Sequence, residues 1–341
     1  MKQKPVVICA PEPRTLDLIF TKEDRLILEQ DCELVEMSAS EVDTINDELA
    51  YSTRYIIGQP ALSQGTLVRM SNLKAIFNVE SNLFDNMPYN YLFERGVYVL
   101  TTGSVFAQPV AELGLAMALC LARDVINADY AFQQGREHWG ESSNRQARLL
   151  SESNIGIIGF GDLGRALAQL LSGFQTSVSV YDPWLPVSTL LEAGVQAASL
   201  EQIMSSSDTV FVVASVTSDN LHFINADVLS TMRHRAALIL LSRAEVVDFD
   251  HLMQFVADGK ILVASDVFPE EPISKDHPVR KLDGFIRSAH RAGALDTAFK
   301  KMGRLVLDDM SLMNKNLPPL RCKRAERETV GRMRSKPVTE N

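Results

Sequence analysis

The run Ile155-Gly156-Ile157-Ile158-Gly159-Phe160-Gly161-Asp162-Leu163-Gly164 decides the fold. Asn154–Ile158 predicts a short apolar strand, and Leu163, Leu167, Leu170 and Leu171 follow it at helical spacing. Gly159, Gly161 and Gly164 occupy the three positions where a pyrophosphate-binding turn admits no side chain. The first allows the tight turn, the second lets backbone approach the phosphates, and the third lets the helix pack on the strand. The N–H groups that open the helix, at Asp162 and Leu163, then face the anion with the helix dipole behind them. A second β-like run, Val178–Tyr181, ends at Asp182, close to the expected spacing of about 20 residues. An acid there accepts hydrogen bonds from the adenosine ribose and repels a 2′-phosphate, so NAD is favoured over NADP. The competing reading is an ordinary βαβ turn with a surface Asp.

Around this turn the chain alternates strand and helix signals. Val6–Ala10, Glu33–Glu36, Tyr55–Ile57, Lys74–Phe77 and Val97–Leu100 are β-like, with helical stretches such as Glu23–Gln30 and Ser40–Asp47 between them. This pattern predicts a small α/β domain with a parallel sheet. Pro109–Arg123 reads as one long helix with Gly114 as its weak point. The alternation resumes after Asn154, with strands expected at Thr209–Ala214, Ala237–Leu241 and Ile261–Ala264. Asp266–Asp283 reads as a long ordered loop, Leu295–Met313 as a helix, and the chain beyond Pro318 as partly irregular.

The bulk composition narrows the class. The 341 residues suffice for two cores, and 46% hydrophobic with 23% charged residues is ordinary for a globular chain. A net charge of −9 argues against general nucleic-acid or anionic-membrane binding. The basic cluster Arg321, Lys323, Arg324, Arg327, Arg332, Arg334 and Lys336 is interrupted by Glu326 and Glu328 and reads as a solvated segment. Cys9, Cys32, Cys120 and Cys322 lie far apart, so neither a disulfide framework nor a metal site is expected, and Cys9 and Cys120 are expected to be buried. The N-terminus lacks a signal-peptide core, and no apolar stretch reads as a membrane span, so the expected location is cytoplasmic.

Three segments carry candidate chemistry. Ser242-Arg243 and Asp266–Pro272 each follow a predicted strand, and Ser288-Ala289-His290 follows the long loop. Residues just beyond the carboxyl ends of such strands face the ligand crevice. Arg243 offers a planar, permanently charged fork for a carboxylate. His290 can exchange the proton that accompanies hydride transfer. Glu271 would orient the ring and favour imidazolium. Each has a plainer reading, as a salt-bridge Arg, a loop-surface Glu and a structural His. His138, His222, His234, His251 and His277 take that last reading.

These motifs resemble those of the D-isomer-specific 2-hydroxyacid dehydrogenases, of the phosphoglycerate dehydrogenase and hydroxypyruvate reductase kind. The resemblance rests on Ser242-Arg243-Ala244-Glu245-Val246-Val247-Asp248, on Asp266-Val267-Phe268-Pro269-Glu270-Glu271-Pro272, on Ala289-His290-Arg291-Ala292-Gly293, and on Ala111-Glu112 in the helix ending at Arg123. It covers nearly the whole chain. It implies a catalytic trio of Arg243, Glu271 and His290. It also implies that Asp266 meets the nicotinamide carboxamide and that Ser242 and Thr217 lie beside the cofactor. It places the substrate carboxylate on the loop Val79, Glu80 and Ser81. The chain departs from the family pattern at Ala244 (usually Gly), Ala289 (usually Pro) and Ser215 (usually Pro). The largest departure is Asn78-Val79-Glu80-Ser81-Asn82, which has no glycine and carries a negative charge. That charge would oppose a carboxylate unless it points away. Phe84–Tyr91, just after it, reads as an insertion that could reshape the pocket.

The expected fold is therefore α/β in two domains. One is a Rossmann dinucleotide-binding domain over 106–294. The other is a smaller, flavodoxin-like and discontinuous substrate domain from 1–105 with 295–341, and the active site is expected between them. The expected activity is NAD-dependent interconversion of a D-2-hydroxy acid and its 2-oxo acid, without a metal. Two alternatives stay open: an NAD(H)-sensing binding protein with little turnover, and an enzyme holding NAD as a prosthetic group. The resemblance also implies a homodimer. The Pro109–Arg123 helix and the segment to Trp139 are the candidate interface, with packing inside one chain as the competing reading.

Overall fold

The computed structural model describes residues 4–80, 82–144, 146–217 and 219–331. It divides into two units: Met1–Phe106 with Thr217–Asp219 and Ala294–Asn341, and Ala107–Val216 with Asn220–Gly293.

In the first unit the strands are β1 (Val6–Ala10), β2 (Glu33–Glu36), β3 (Thr53–Gly58), β4 (Ala75–Asn78) and β5 (Tyr98–Thr101). They pair in parallel in the order β2-β1-β3-β4-β5, the flavodoxin-like order. β1 and β4 are buried throughout because helices cover both faces of the sheet, and their near-continuous apolar sequence follows from that. Gly58 ends β3 at φ +133°, so close to β1 that a Cβ would stand 1.9 Å from the Ala10 carbonyl oxygen. The helix Asp296–Asn314 returns to this unit and buries Met302, Val306 and Met310 in the same cluster as Val7, Tyr55 and Phe77. Each such side chain stabilises by about 1.5–3 kcal/mol.

Two expectations are corrected here. Ser40–Asp47 is not a helix: it holds only a 3-10 turn at Val42–Thr44. The α-helix is Asp47–Ser52, because the Asn46 side chain accepts the Leu49 N–H at 2.9 Å and caps it there. The segment beyond Pro318 is not simply solvated, since a short strand appears at Lys323–Arg324 and pairs antiparallel with β5. Asp309, fully buried, accepts the N–H groups of Leu320, Arg321 and Cys322 at 2.7, 2.8 and 2.8 Å. The Arg324 and Arg327 guanidiniums lie over the rings of Tyr98 and Phe93 at 5.2 and 5.3 Å. These basic residues fasten the segment to the edge of the sheet. Arg332, Arg334 and Lys336 lie outside the described residues.

The second unit holds β6 (Asn154–Ile158), β7 (Ser177–Tyr181), β8 (Gln196–Ala197), β9 (Thr209–Val212), β10 (Ala237–Leu240), β11 (Leu262–Ser265) and β12 (Phe285–Arg287); Lys323–Arg324 is thus β13. All seven pair in parallel, in the order β12-β11-β10-β9-β6-β7-β8. Read outward from β6, this is the doubly wound dinucleotide-binding order with one further strand, β12. The long helix runs Ala107–Arg123, and its Gly114 has a packing role. A Cβ at Gly114 would come 2.4 Å from Leu241 Cδ1, so only glycine allows this approach to the sheet. With the preceding turn, Gly103–Arg123 forms a 21-residue helical stretch containing an 18-residue window of mean hydropathy 1.7, long and apolar enough to cross a membrane by length and composition. This corrects the expectation that no stretch reaches that length. One face, including Val110, Met117 and Ala118, is buried inside the protein. Cys9 is buried as expected, but Cys120 is only partly so.

Candidate active site

The glycine turn shows three different surroundings at its three glycines. Gly159 stands at φ +95°, and a Cβ on it would meet the Ala214 backbone at 2.7 Å. Gly164 presses on the turn itself, where a Cβ would stand 2.3 Å from the Gly159 carbonyl oxygen. A Cβ on Gly161 would meet nothing within 4 Å. The first and third glycines are thus required by the protein's own packing, whereas the second borders open space. Gly161 also precedes the helix Asp162–Leu171 with no side chain capping it. The N–H groups at Asp162 and Leu163 are the unsatisfied donors that such a start offers to an anion. This cradle fits a dinucleotide pyrophosphate.

Asp182 sits directly beyond β7, and its two carboxylate oxygens accept the Phe160 N–H at 2.7 Å and the Trp184 N–H at 3.0 Å. The acid therefore holds the glycine turn while keeping lone pairs for further donors. It lines a cavity of about 380 Å³ with Pro183, Leu185, Leu190, Ala198 and Gln202. A cavity of mixed lining, with aliphatic side chains on one part and a carboxylate at its edge, suits an adenosine: base against the aliphatic side chains, ribose hydroxyls toward the acid.

Arg243, Glu271 and His290 come from three consecutive segments beyond the carboxyl ends of β10, β11 and β12. Arg243 is half-buried in extended conformation, with Nη1 donating to its neighbour's Ser242 carbonyl at 2.7 Å. Glu271 accepts the Phe268 N–H on Oε1 at 2.8 Å and meets His290 Nδ1 through Oε2 at 2.6 Å. Burial pushes the Glu271 carboxyl upward, but the His290 and Phe268 hydrogen bonds and the charges of His290 and Arg243 outweigh it and hold it below its ordinary value. An ionised carboxylate can only accept, so Nδ1 carries the proton, and Nε2 has no hydrogen-bond partner among the described residues.

His290 adopts φ +48°, a left-handed conformation unfavourable for a residue with a side chain. Asp266 holds it there. Its carbonyl accepts the His290 N–H at 2.7 Å, and its buried carboxylate accepts the Arg291 and Ala292 N–H groups at 3.0 and 2.9 Å. Ser242 is buried, and its Oγ has no hydrogen-bond partner among the described residues. Thr217 is buried, accepts the Asp219 N–H at 3.3 Å, and groups with the first unit.

The loop after β4 is braced from within. Asn78 is buried; its Oδ1 accepts the Glu80 N–H at 2.7 Å and its Nδ2 donates to the Asn82 carbonyl at 2.8 Å. The Glu80 N–H, expected to hold a substrate carboxylate, is thus spent inside the loop. The charge of Glu80 does not stand alone: Oε1 pairs with Arg14 Nη2 at 2.8 Å. Arg14 Nε donates to the Val79 carbonyl at 3.1 Å, and its guanidinium lies 4.5 Å over the Phe299 ring. Ser81 lies outside the described residues. Arg14 is the residue that sequence reading passed over. Its one signal is its position just past β1, since its partner stands 66 positions away.

Comparisons with known proteins show the family. The family model for the D-isomer specific 2-hydroxyacid dehydrogenase NAD-binding domain matches residues 115–292. A glyoxylate reductase of Thermofilum pendens is 30% identical over 256 residues, covering 73% of this chain and 74% of that one. A D-3-phosphoglycerate dehydrogenase of Archaeoglobus fulgidus is 25% identical over 83% of this chain and 53% of its own length. A crystal structure described as a phosphoglycerate oxidoreductase from Rhizobium etli superposes with a TM-score of 0.90 at 59% identity, covering 95% of this chain and 99% of that one. The chain belongs to the D-isomer specific 2-hydroxyacid dehydrogenases. It is an NAD-dependent oxidoreductase that interconverts 2-hydroxy and 2-oxo acids, an enzyme rather than a sensor of the cofactor.

Proposed function

We propose that Arg243, Glu271 and His290 are the catalytic residues and that the substrate is a short D-2-hydroxy acid with its 2-oxo acid. The observation that carries this is the 2.6 Å contact between Glu271 and His290 Nδ1, which occupies one ring nitrogen and leaves Nε2 as the one to exchange a proton. Gly159, Gly161, Asp162, Leu163, Gly164 and Asp182 would hold the dinucleotide, with Ser242, Thr217 and Asp266 toward its nicotinamide end. When bound, NADH supplies the hydride. Arg243 holds the substrate carboxylate and polarises the carbonyl. His290 protonates the oxygen at C2 in reduction and takes the proton back in oxidation. Glu271 fixes the ring's tautomer and orientation, and the ring acting as the acid, together with the Arg243 guanidinium, offsets the developing alkoxide.

The first unit is read as the substrate domain and the second as the cofactor domain. A homodimer is proposed through the second unit, where Val125, Ile126, Tyr130 and Phe132 on the helix Val125–Gln133, and Trp139 after it, are exposed apolar residues. The cytoplasm is the proposed location, supported by four cysteines that are all free thiols.

The test is NADH oxidation with glyoxylate, pyruvate, hydroxypyruvate and phosphohydroxypyruvate, read at the nicotinamide absorbance, for wild type and His290→Ala. Turnover with at least one acid is expected, lowered by about two to four orders of magnitude in the variant. Wild-type-like turnover in His290→Ala would remove the ring from the mechanism.

A further inference from the structure

We propose that Arg280 is a positioning residue for the reaction: it clamps the loop that carries Glu271 and through Glu271 holds His290 in place. This deepens the assignment of Glu271 and His290 made above and rests on it.

The contact between Glu271 and His290 needs both partners fixed, because each stands on irregular backbone beyond a strand. His290 is fixed by Asp266. Glu271 lies in the loop between β11 and β12, and the first part of that loop is tied down close to β11. There Ser265 Oγ donates to the Val267 carbonyl at 2.6 Å and accepts the Val267 N–H at 3.3 Å. The part from Pro269 to Ser274 has far less support. Pro269 and Pro272 have no N–H to give, and among the described residues no other N–H of this stretch finds an acceptor in the protein.

Arg280 supplies what is missing. Its Nη2 donates to the Ile273 carbonyl and its Nε to the Ser274 carbonyl, each at 2.8 Å. These carbonyls lie two and three residues after Glu271. The fork stands on a fixed base. Arg280 belongs to the 3-10 turn Pro278–Lys281, whose Val279 is fully buried in the core of the second unit. The Arg280 N–H donates to the His277 carbonyl at 3.1 Å, and the His277 N–H donates to the Ser274 carbonyl at 3.3 Å. Arg287 donates to the carbonyls of Val279 and Leu282 and holds the turn from its other side.

The task needs a guanidinium. Nε and Nη2 lie in one rigid plane, so a single side chain fixes two successive carbonyls together. A lysine offers one rotating ammonium and a methionine no donor at all. Arg280 is exposed, so removing it opens no cavity and costs the fold little. Its loss frees the backbone after Glu271 and lets the carboxylate drift from the ring without unfolding the domain.

Two readouts compare wild type with Arg280→Met and Arg280→Lys. The first needs no turnover: the titration of the Glu271 carboxyl, followed by NMR on protein with isotope-labelled glutamate and assigned by the signal missing from Glu271→Gln. Burial raises this carboxyl, but the bonds from His290 and Phe268 and the charges of His290 and Arg243 overcome it. In Arg280→Met the titration should move up toward the ordinary carboxylate range, with Arg280→Lys in between. The second readout is kcat with the 2-oxo acid that wild type turns over fastest. Arg280→Met should lower kcat by about tenfold with little change in KM, since a misplaced acid–base pair weakens the transition state more than binding. In the Glu271→Gln background the same substitution should lower kcat by less than about twofold, because the group it acts on is gone. An unmoved Glu271 titration, or equal losses of kcat in both backgrounds, would show a merely structural arginine and overturn the proposal. Wild-type-like turnover in His290→Ala would instead overturn the assignment beneath it.

Discussion

Asp266 accepts the backbone N–H of His290 on its own carbonyl at 2.7 Å, while its carboxylate accepts the next two N–H groups of the chain. One residue thus fixes the backbone on which the proposed acid stands, in a conformation that costs about 1–3 kcal/mol unless its surroundings enforce it.

Asp266→Asn would leave one of those two N–H groups facing an amide N–H₂ instead of an acceptor. The expected loss is about 1–3 kcal/mol, seen as a lower Tm, together with a fall in kcat as His290 loses its fixed position. Unchanged Tm and kcat would show that the two N–H groups find other acceptors.

Glu271→Gln should change the pH profile. The Glu271 carboxyl is held below its ordinary value, so its bond to His290 is intact above the ordinary carboxylate range and is lost as pH falls through the lowered value. The acid limb of reductase kcat/KM that follows protonation of this carboxyl should be present in wild type and absent from Glu271→Gln, whose amide does not titrate. Superimposable wild-type and variant profiles would reduce Glu271 to a structural loop residue.

Cofactor preference should follow Asp182. NADH is expected to bind about tenfold more tightly than NADPH, equivalent to about 1.4 kcal/mol. Asp182→Ser should narrow the gap. Because Asp182 also holds the Phe160 N–H, both affinities should drop in the variant, and the ratio of the two Kd values is the quantity to follow by fluorescence titration. A ratio unaltered by the substitution would place the discrimination elsewhere.

Trp139→Arg tests the proposed association. Trp139 is 74% exposed and meets Phe132 edge-on, with ring centroids 6.3 Å apart. A charge there should shift sedimentation from dimer toward monomer, since burying an unpaired guanidinium in an apolar interface is costly. A wild type that sediments as a monomer at all concentrations would refute the homodimer.

The sequence was most legible where structure is local. The glycine turn, the strand after it and Asp182 lie within 30 residues and follow from backbone sterics alone. Arg243 and Glu271 were legible because each follows its own apolar strand, whereas the strand before His290 has only three residues and was passed over as part of the loop. What escaped reading depends on distant partners. The Arg14–Glu80 pair joins two loops that only the sheet order brings together. Asp266's grip on Arg291 and Ala292 spans 25 and 26 positions. Lys323–Arg324 is too short to announce itself as a strand and exists because the edge of β5 is there to receive it. Ser40–Asp47 failed for a different reason: Asn46 can start a helix, and the cap prevailed over the periodicity before it.

The antiparallel pairing of Lys323–Arg324 with Thr101–Leu100 also sets an order of assembly. On a growing chain, β1 to β5 emerge first, but the helix that buries Met302, Val306 and Met310 against them is made last. Everything between Ala107 and Gly293, apart from a short stretch near Thr217, belongs to the other unit. The second unit can therefore complete its core while the first still exposes apolar sheet and an unpaired edge. During that interval the nascent protein is at its most vulnerable to strand-by-strand association with its neighbours, and synthesis of the last thirty or so described residues ends it.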